Sequence, residues 1–116
     1  MSNSMKRIIY VDIDETICNT PDNPRKYSEA IPTIQNIKKI NDLYDEGNII
    51  VYWTSRGSRS GINWYEFTKK QLDSWGAKYH ELRCDKPYYD IFIDDKSIRI
   101  DELRNRLINV YSEENL

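Results

Sequence analysis

Histidine, cysteine and long apolar runs are scarce in this chain, and each scarcity excludes something. The two cysteines, Cys18 and Cys84, form neither a C-x-x-C pair nor a zinc-ligand pattern. His80 is the single histidine of the 116 residues, too few for a zinc site or a Ser-His-Asp triad. No run approaches the ~20 apolar residues of a membrane span. The start, Met1-Ser2-Asn3-Ser4-Met5-Lys6, lacks the apolar core of a signal peptide. A formal net charge of −2 argues against a general nucleic-acid binder and leaves room only for a local basic rim. Repeats, linkers and low-complexity segments are also missing. The expectation is one domain over residues 1–116, cytoplasmic, with reduced thiols and no membrane partner. Aromatics are not scarce: nine Tyr and three Trp can build a core.

Residues 7–18 organise the rest. Ile8, Ile9, Tyr10 and Val11 form an apolar, β-branched and aromatic run, which predicts a strand buried on both faces. The run stops at two carboxylates, Asp12 and Asp14, with Thr16 two further on. At the carboxyl end of a parallel strand these groups would sit where open α/β sheets bind ligands. Two close carboxylates repel, which raises the pKa of one. A divalent cation relieves the repulsion, and Mg²⁺ favours one or two carboxylates with phosphate and water oxygens. Asp12 could then attack phosphorus while Asp14 shuttles a proton. A strand running into an acidic solvated turn would read the same way, so the remaining chain decides.

Residues 17–29, rich in Asn, Pro, Asp and Ser, predict an irregular loop or small hairpin over the carboxylates. It carries Arg25, Lys26 and Tyr27, either as solvated side chains or as contacts for the non-reacting part of a substrate. Residues 32–46 predict a helix opened by Pro32, striped by Ile34, Ile37, Ile40, Leu43 and Tyr44, and stopped by Gly47. Residues 49–53 predict a second buried parallel strand. It runs into Thr54, Ser55, Arg56 and Gly57, whose hydroxyls and N–H groups suit a phosphate. Arg59 follows in a loop. Residues 62–75 predict a helix with Trp64, Thr68, Leu72 and Trp75 on one face and Gly76 as its stop. Residues 77–82 contain a short strand in which His80 has a structural part. Lys86 precedes Pro87. Residues 91–93 predict a fourth strand that ends in Asp94 and Asp95, and residues 98–108 a last helix. The alternation is that of a compact doubly wound α/β sheet. A phosphoryl-transfer site needs what the strand ends carry: a nucleophile and metal ligand in Asp12, a second acid in Asp94, and Thr54 and Lys86 for the phosphoryl oxygens.

This ordered set resembles the haloacid dehalogenase (HAD) superfamily of phosphatases, over about residues 6–103. The resemblance implies a single three-layer, Rossmann-like domain with a mainly parallel sheet and no cap, since both intervals where caps are inserted are short. It implies Mg²⁺-dependent hydrolysis of a small phosphorylated substrate through an aspartyl-phosphate on Asp12. Asp14 would protonate the leaving alcohol and then activate water. Thr54, with Ser55 and Arg56 beside it, would bind the phosphoryl group, and Lys86 would bridge it to Asp12. Mg²⁺ would be held by Asp12, the Asp14 backbone carbonyl and Asp94, with Asp95 close by. Glu15 stands where the family has Gly. Softer features (Trp53 to Gly57, Trp75-Gly76, and Lys86-Pro87 with Ile93 to Arg99) resemble the very small phosphatases of capsule and surface-polysaccharide biosynthesis, which implies a phosphosugar. Arg25, Lys26, Arg56 and Arg59 would then meet the substrate beyond its phosphate. Capless relatives often cover the site with a neighbouring subunit, so the resemblance leaves room for a homo-oligomer. A nucleotide or polynucleotide-end phosphatase, which also carries an Arg after the second loaded strand, is the alternative. A receiver-like signalling module fits less well, because Asp12 and Asp14 share the first strand.

Overall fold

The structure is a computed structural model and describes residues 6–22 and 24–103. In chain order the elements are β1 (Ile8–Val11), β2 (Cys18–Asn19), β3 (Ile31–Pro32), α1 (Ile34–Asp45), β4 (Ile49–Trp53), α2 (Tyr65–Ser74) and β5 (Glu81–Arg83). Short 3-10 turns occupy Tyr27–Glu29 and Ile100–Glu102. β1, β4 and β5 form one parallel sheet in that order, and β2 pairs antiparallel with β3. The chain is thus a small α/β unit with a parallel sheet and two α-helices among the described residues.

Register decides which face is covered. Ile9 lies level with Ile50, and Val11, Tyr52 and Leu82 lie across one row. These residues share a buried cluster with Ile37, Ile40 and Leu43 of α1 and Leu72 of α2. Side chains alternate faces along a strand, so both helices pack on the Ile50 and Tyr52 face. On the opposite face Tyr10 packs edge-on against Trp53, with ring centroids 5.4 Å apart. Among the described residues both α-helices therefore lie on one face of the sheet, and residues 104–108 of the last helix expected, over 98–108, lie outside the described residues. β1 is also not buried on both faces: Ile8 is 66% and Tyr10 48% exposed. β4, the middle strand, keeps Ile50, Val51 and Tyr52 buried, as its composition requires.

The helices end as the sequence predicts. Gly47 N–H bonds back to the Tyr44 carbonyl and Asn48 N–H to Leu43, and past α2 Gly76 and Ala77 repeat this with Asp73 and Leu72. Their starts differ from expectation. Pro32 lies in β3 opposite Cys18, and Thr33 N–H is given to the Ile17 carbonyl at 2.8 Å, so the chain stays extended until Ile34. Ile34 is consequently outside the buried stripe. α2 opens at Tyr65, not at 62, because the Asn63 side chain accepts the Tyr65 N–H.

The expected fourth strand does not form. Residues 91–93 carry no strand assignment, and Phe92 packs on Tyr89 at 5.3 Å, not on the sheet. Of the helix expected over 98–108, the 3-10 turn Ile100–Glu102 is present, Leu103 is buried, and the remainder lies outside the described residues.

Candidate active site

The carboxyl ends of β1 and β4 bring together Asp12, Asp14, Thr54, Arg56 and Lys86. Thr54 N–H binds the Arg83 carbonyl at 2.9 Å and Lys86 N–H binds the Thr54 carbonyl at 3.2 Å, which carries the chain from β5 back to the end of β4. Lys86 Nζ then lies 3.5 Å from Asp12 Oδ1. The ammonium also faces the rings of Tyr89 and Trp53, at 5.3 and 5.6 Å. Burial raises the Asp12 pKa above the usual carboxylate range. The Lys86 charge and the Ile13 N–H oppose that shift without cancelling it.

Asp14 is held differently. Arg56 grips it as a fork, with Nε 3.0 Å from Oδ2 and Nη2 2.9 Å from Oδ1, and the Thr20 hydroxyl donates to Oδ1 at 2.6 Å. Burial alone would raise the Asp14 pKa, but Arg56 and Thr20 together outweigh it and lower the value. The guanidinium is itself enclosed. Nη1 donates to Thr68 Oγ1 at 3.1 Å and to Gln71 Oε1 at 2.7 Å, and the Tyr27 ring lies 4.5 Å away. Gln71 Nε2 donates in turn to the Tyr27 carbonyl at 2.6 Å. Arg56 is 1% exposed, which corrects the expectation that it meets the substrate: it is a buried brace for Asp14. Thr54, also buried, accepts the Arg56 N–H with its hydroxyl at 3.2 Å.

The other expected residues fall as follows. Ser55 is half-buried beside Thr54, and its carbonyl closes a turn with Ser58 N–H. Asp94 and Asp95 lie on the exposed 91–95 segment, where the Asp94 carboxylate accepts the Lys96 N–H at 3.1 Å. Arg59 stacks on Tyr88 at 4.5 Å. Arg25 bonds Glu15 and Asp22, while Lys26 faces Glu29 at 3.8 Å. His80 is structural: Nδ1 accepts the Ile50 N–H, and the ring stacks on Tyr44. Glu15 takes φ 63°, a left-handed conformation that favours glycine. It costs other residues about 1–2 kcal/mol, and bonds from Glu15 N–H to the Cys18 carbonyl and from Arg25 to the Glu15 carboxylate offset it.

Thr20, Thr68 and Gln71 were not singled out from the sequence as site residues. Thr68 and Gln71 sit three apart on the inward side of α2. Two polar residues at that spacing are the signal that a charge lies beneath. Cys18 is buried 3.7 Å from Asp14 Oδ1 and 3.5 Å from the Thr20 hydroxyl, and burial pushes its thiol up to about 11, so it is no nucleophile.

The donor set for Mg²⁺ is incomplete. Both Asp14 carboxylate oxygens accept from Arg56 or Thr20, which leaves the Asp12 carboxylate and the Asp14 backbone carbonyl. Among the described residues no group of three His, Cys, Asp or Glu side chains could hold a metal ion. The site thus offers Mg²⁺ one carboxylate and one backbone carbonyl of the expected set, with phosphate and water oxygens to complete the shell. Among the described residues no helix is long and apolar enough to cross a membrane.

No protein-family model matches the chain, and no curated protein matches it. A crystal structure of a target protein from Vibrio cholerae is similar, with a TM-score of 0.77 at 25% identity, covering 97% of this chain and 100% of that one.

Proposed function

We propose that the protein is a phosphoric monoester hydrolase of HAD type, working through Asp12. The observation that carries this reading is the placement of Asp12 at the end of β1, its side chain 40% exposed, with the nearly buried Lys86 ammonium 3.5 Å away. An accessible carboxylate beside a fixed cation suits attack on an anionic phosphoryl group. In the first step an Asp12 oxygen bonds to phosphorus and the bond to the leaving alcohol breaks. In the second, water displaces the phosphate from Asp12. Lys86 offsets the charge on the phosphoryl oxygens, and Thr54 lies at the adjoining strand end to receive one. Asp14, kept ionised by Arg56, suits the second step, in which it accepts the proton of the attacking water. Either proton transfer, to the leaving alcohol in the first step or from water in the second, requires Arg56 to loosen its grip on the carboxylate.

Mg²⁺ belongs to this proposal as the counter-charge for two carboxylates and a phosphate. A phosphosugar or similar small phosphorylated metabolite, in a Rossmann-like capless domain, remains the substrate class the sequence resemblance favours. The test is hydrolysis of p-nitrophenyl phosphate and of a phosphosugar and nucleotide panel with Mg²⁺, by wild type and Asp12→Asn. Turnover should fall to background in the variant while circular dichroism stays unchanged, because an amide is a far poorer nucleophile. Near-normal hydrolysis by Asp12→Asn would overturn the covalent mechanism.

A further inference from the structure

Lys86 ends in an ammonium on a flexible stem, yet its Nζ is set 3.5 Å from Asp12 Oδ1. Among the described residues Asp12 is the only carboxylate that pairs with it, and one ion pair does not fix so mobile a side chain. The other neighbours of the ammonium are aromatic, Trp53 at 5.6 Å and Tyr89 at 5.3 Å. Trp53 is itself held. Its indole N–H donates to Asp85 Oδ1 at 2.9 Å. Arg83 takes the same carboxylate as a fork, 3.2 Å to Oδ1 and 2.6 Å to Oδ2, and its Nη1 donates to the Tyr10 hydroxyl at 3.3 Å. The Tyr10 ring returns to the edge of Trp53, so the four side chains close a circuit. Arg83 lies level with Trp53 in the register, which puts the circuit on the sheet face turned away from α1 and α2.

This circuit does little for stability. Arg83 and Asp85 are 40% and 58% exposed, and exposed ion pairs contribute little. What it fixes is the indole. The Lys86 N–H is bonded to the carbonyl of Thr54, the residue after Trp53, so the lysine side chain starts beside that ring. We infer that Trp53, held by Asp85, is the positioning residue for Lys86: its ring keeps the ammonium turned to Asp12 and out of solvent. A ring attracts a cation without neutralising it. The charge therefore stays available to a phosphoryl oxygen, where a second carboxylate would cancel it. The placement of the ammonium stands on these contacts, and only its effect on turnover rests on the phosphatase reading.

Acylation by an N-hydroxysuccinimide ester, read peptide by peptide in a mass spectrometer, reports where the Lys86 amine lies without reference to activity. Against exposed Lys70 as internal standard, Lys86 should acylate about tenfold faster in Trp53→Leu, and within about twofold of wild type in Trp53→Phe, which keeps a ring. Asp85→Ala changes an exposed residue and tests the anchor even if Trp53→Leu fails to fold; it should raise the rate about threefold. With p-nitrophenyl phosphate, Trp53→Leu should lose about tenfold in kcat with KM little changed. Lys86→Ala/Trp53→Leu should be no slower than Lys86→Ala, whereas a merely structural Trp53 would add its own loss. Additive losses, or unchanged Lys86 acylation in Trp53→Leu, overturn the inference, and unchanged acylation in Asp85→Ala overturns the part given to Asp85. If wild type hydrolyses no phosphate ester, the functional reading fails, while acylation still decides whether Trp53 holds Lys86.

Discussion

Replacing Arg56 by alanine is the sharpest test of how this site is held. The guanidinium side chain is 0% exposed and Asp14 15%, so the pair is shielded from solvent. Removing one partner of a buried pair costs about 3–5 kcal/mol, because the other charge is left uncompensated. Here Thr68 and Gln71 lose a charged donor as well. Against a total stability of about 5–15 kcal/mol this is a large fraction. At a urea slope of about 2 kcal/mol per M, it lowers the midpoint by about 2 M. The deficit has a pH signature. In wild type the Asp14 pKa is lowered, so its stabilisation is fully present above the unfolded value near ~4 and lost as pH falls through the lower folded value. Without Arg56, burial dominates and the folded pKa lies above the unfolded one. The penalty then holds at neutral pH and fades on acidification as Asp14 takes a proton. Urea titrations in chelator at pH 7 and near pH 4.5 should show the gap between variant and wild type narrowing at the lower pH. Arg56→Met/Asp14→Asn, which removes both charges, should recover part of the loss. A variant within about 0.5 kcal/mol of wild type at pH 7, or a gap that widens on acidification, would refute the brace.

Three further outcomes follow from the same geometry. Lys86→Ala removes the fixed cation beside Asp12 and should cost about 2–4 kcal/mol in kcat/KM, roughly 30- to 1,000-fold; unchanged kinetics would make Lys86 a surface residue. Gly57→Ala would place a Cβ 2.1 Å from the Ile62 carbonyl oxygen at a φ of 85°; a loss of at least about 2 kcal/mol is expected in chemical denaturation, and a neutral result would mean that the 57–62 turn yields. The Tyr52 hydroxyl is buried with no hydrogen-bond partner among the described residues; Tyr52→Phe should therefore gain about 1 kcal/mol and raise Tm by about 4 °C, and a loss would reveal a partner.

Local signals were legible in the sequence and long-range ones were not. Gly47 and Gly76 mark the helix ends because a C-terminal cap needs only its own turn. Ile49–Trp53 reads as a middle strand because apolar residues on both faces have one use. Pro32 reads as a helix opener until Cys18, fourteen residues back, claims it for a hairpin. Residues 91–93 read as a strand from composition, but whether a strand finds an edge depends on pairing that no local window contains. Asp12, Asp14, Thr54 and Lys86 share one mouth because each lies just past a strand or is tied to a strand end by a backbone bond. Arg56 reads as a substrate contact because it follows Thr54 and Ser55 at a strand end; its burial depends on Asp14, Thr68 and Gln71, 42, 12 and 15 positions away.

That polar cluster also sets a lifetime. Its bonds join positions 42 and 44 apart, whereas the turns of α1 and α2 join neighbours. Chain entropy has to be spent before such distant contacts reward it, so the expectation is that the cluster closes late in folding. A lesion in it then leaves the folding rate nearly unchanged and falls on the unfolding rate, where about 4 kcal/mol corresponds to roughly three decades. Arg56 determines how long a finished molecule lasts, and the unfolding arm of a chevron plot is where its loss will be seen.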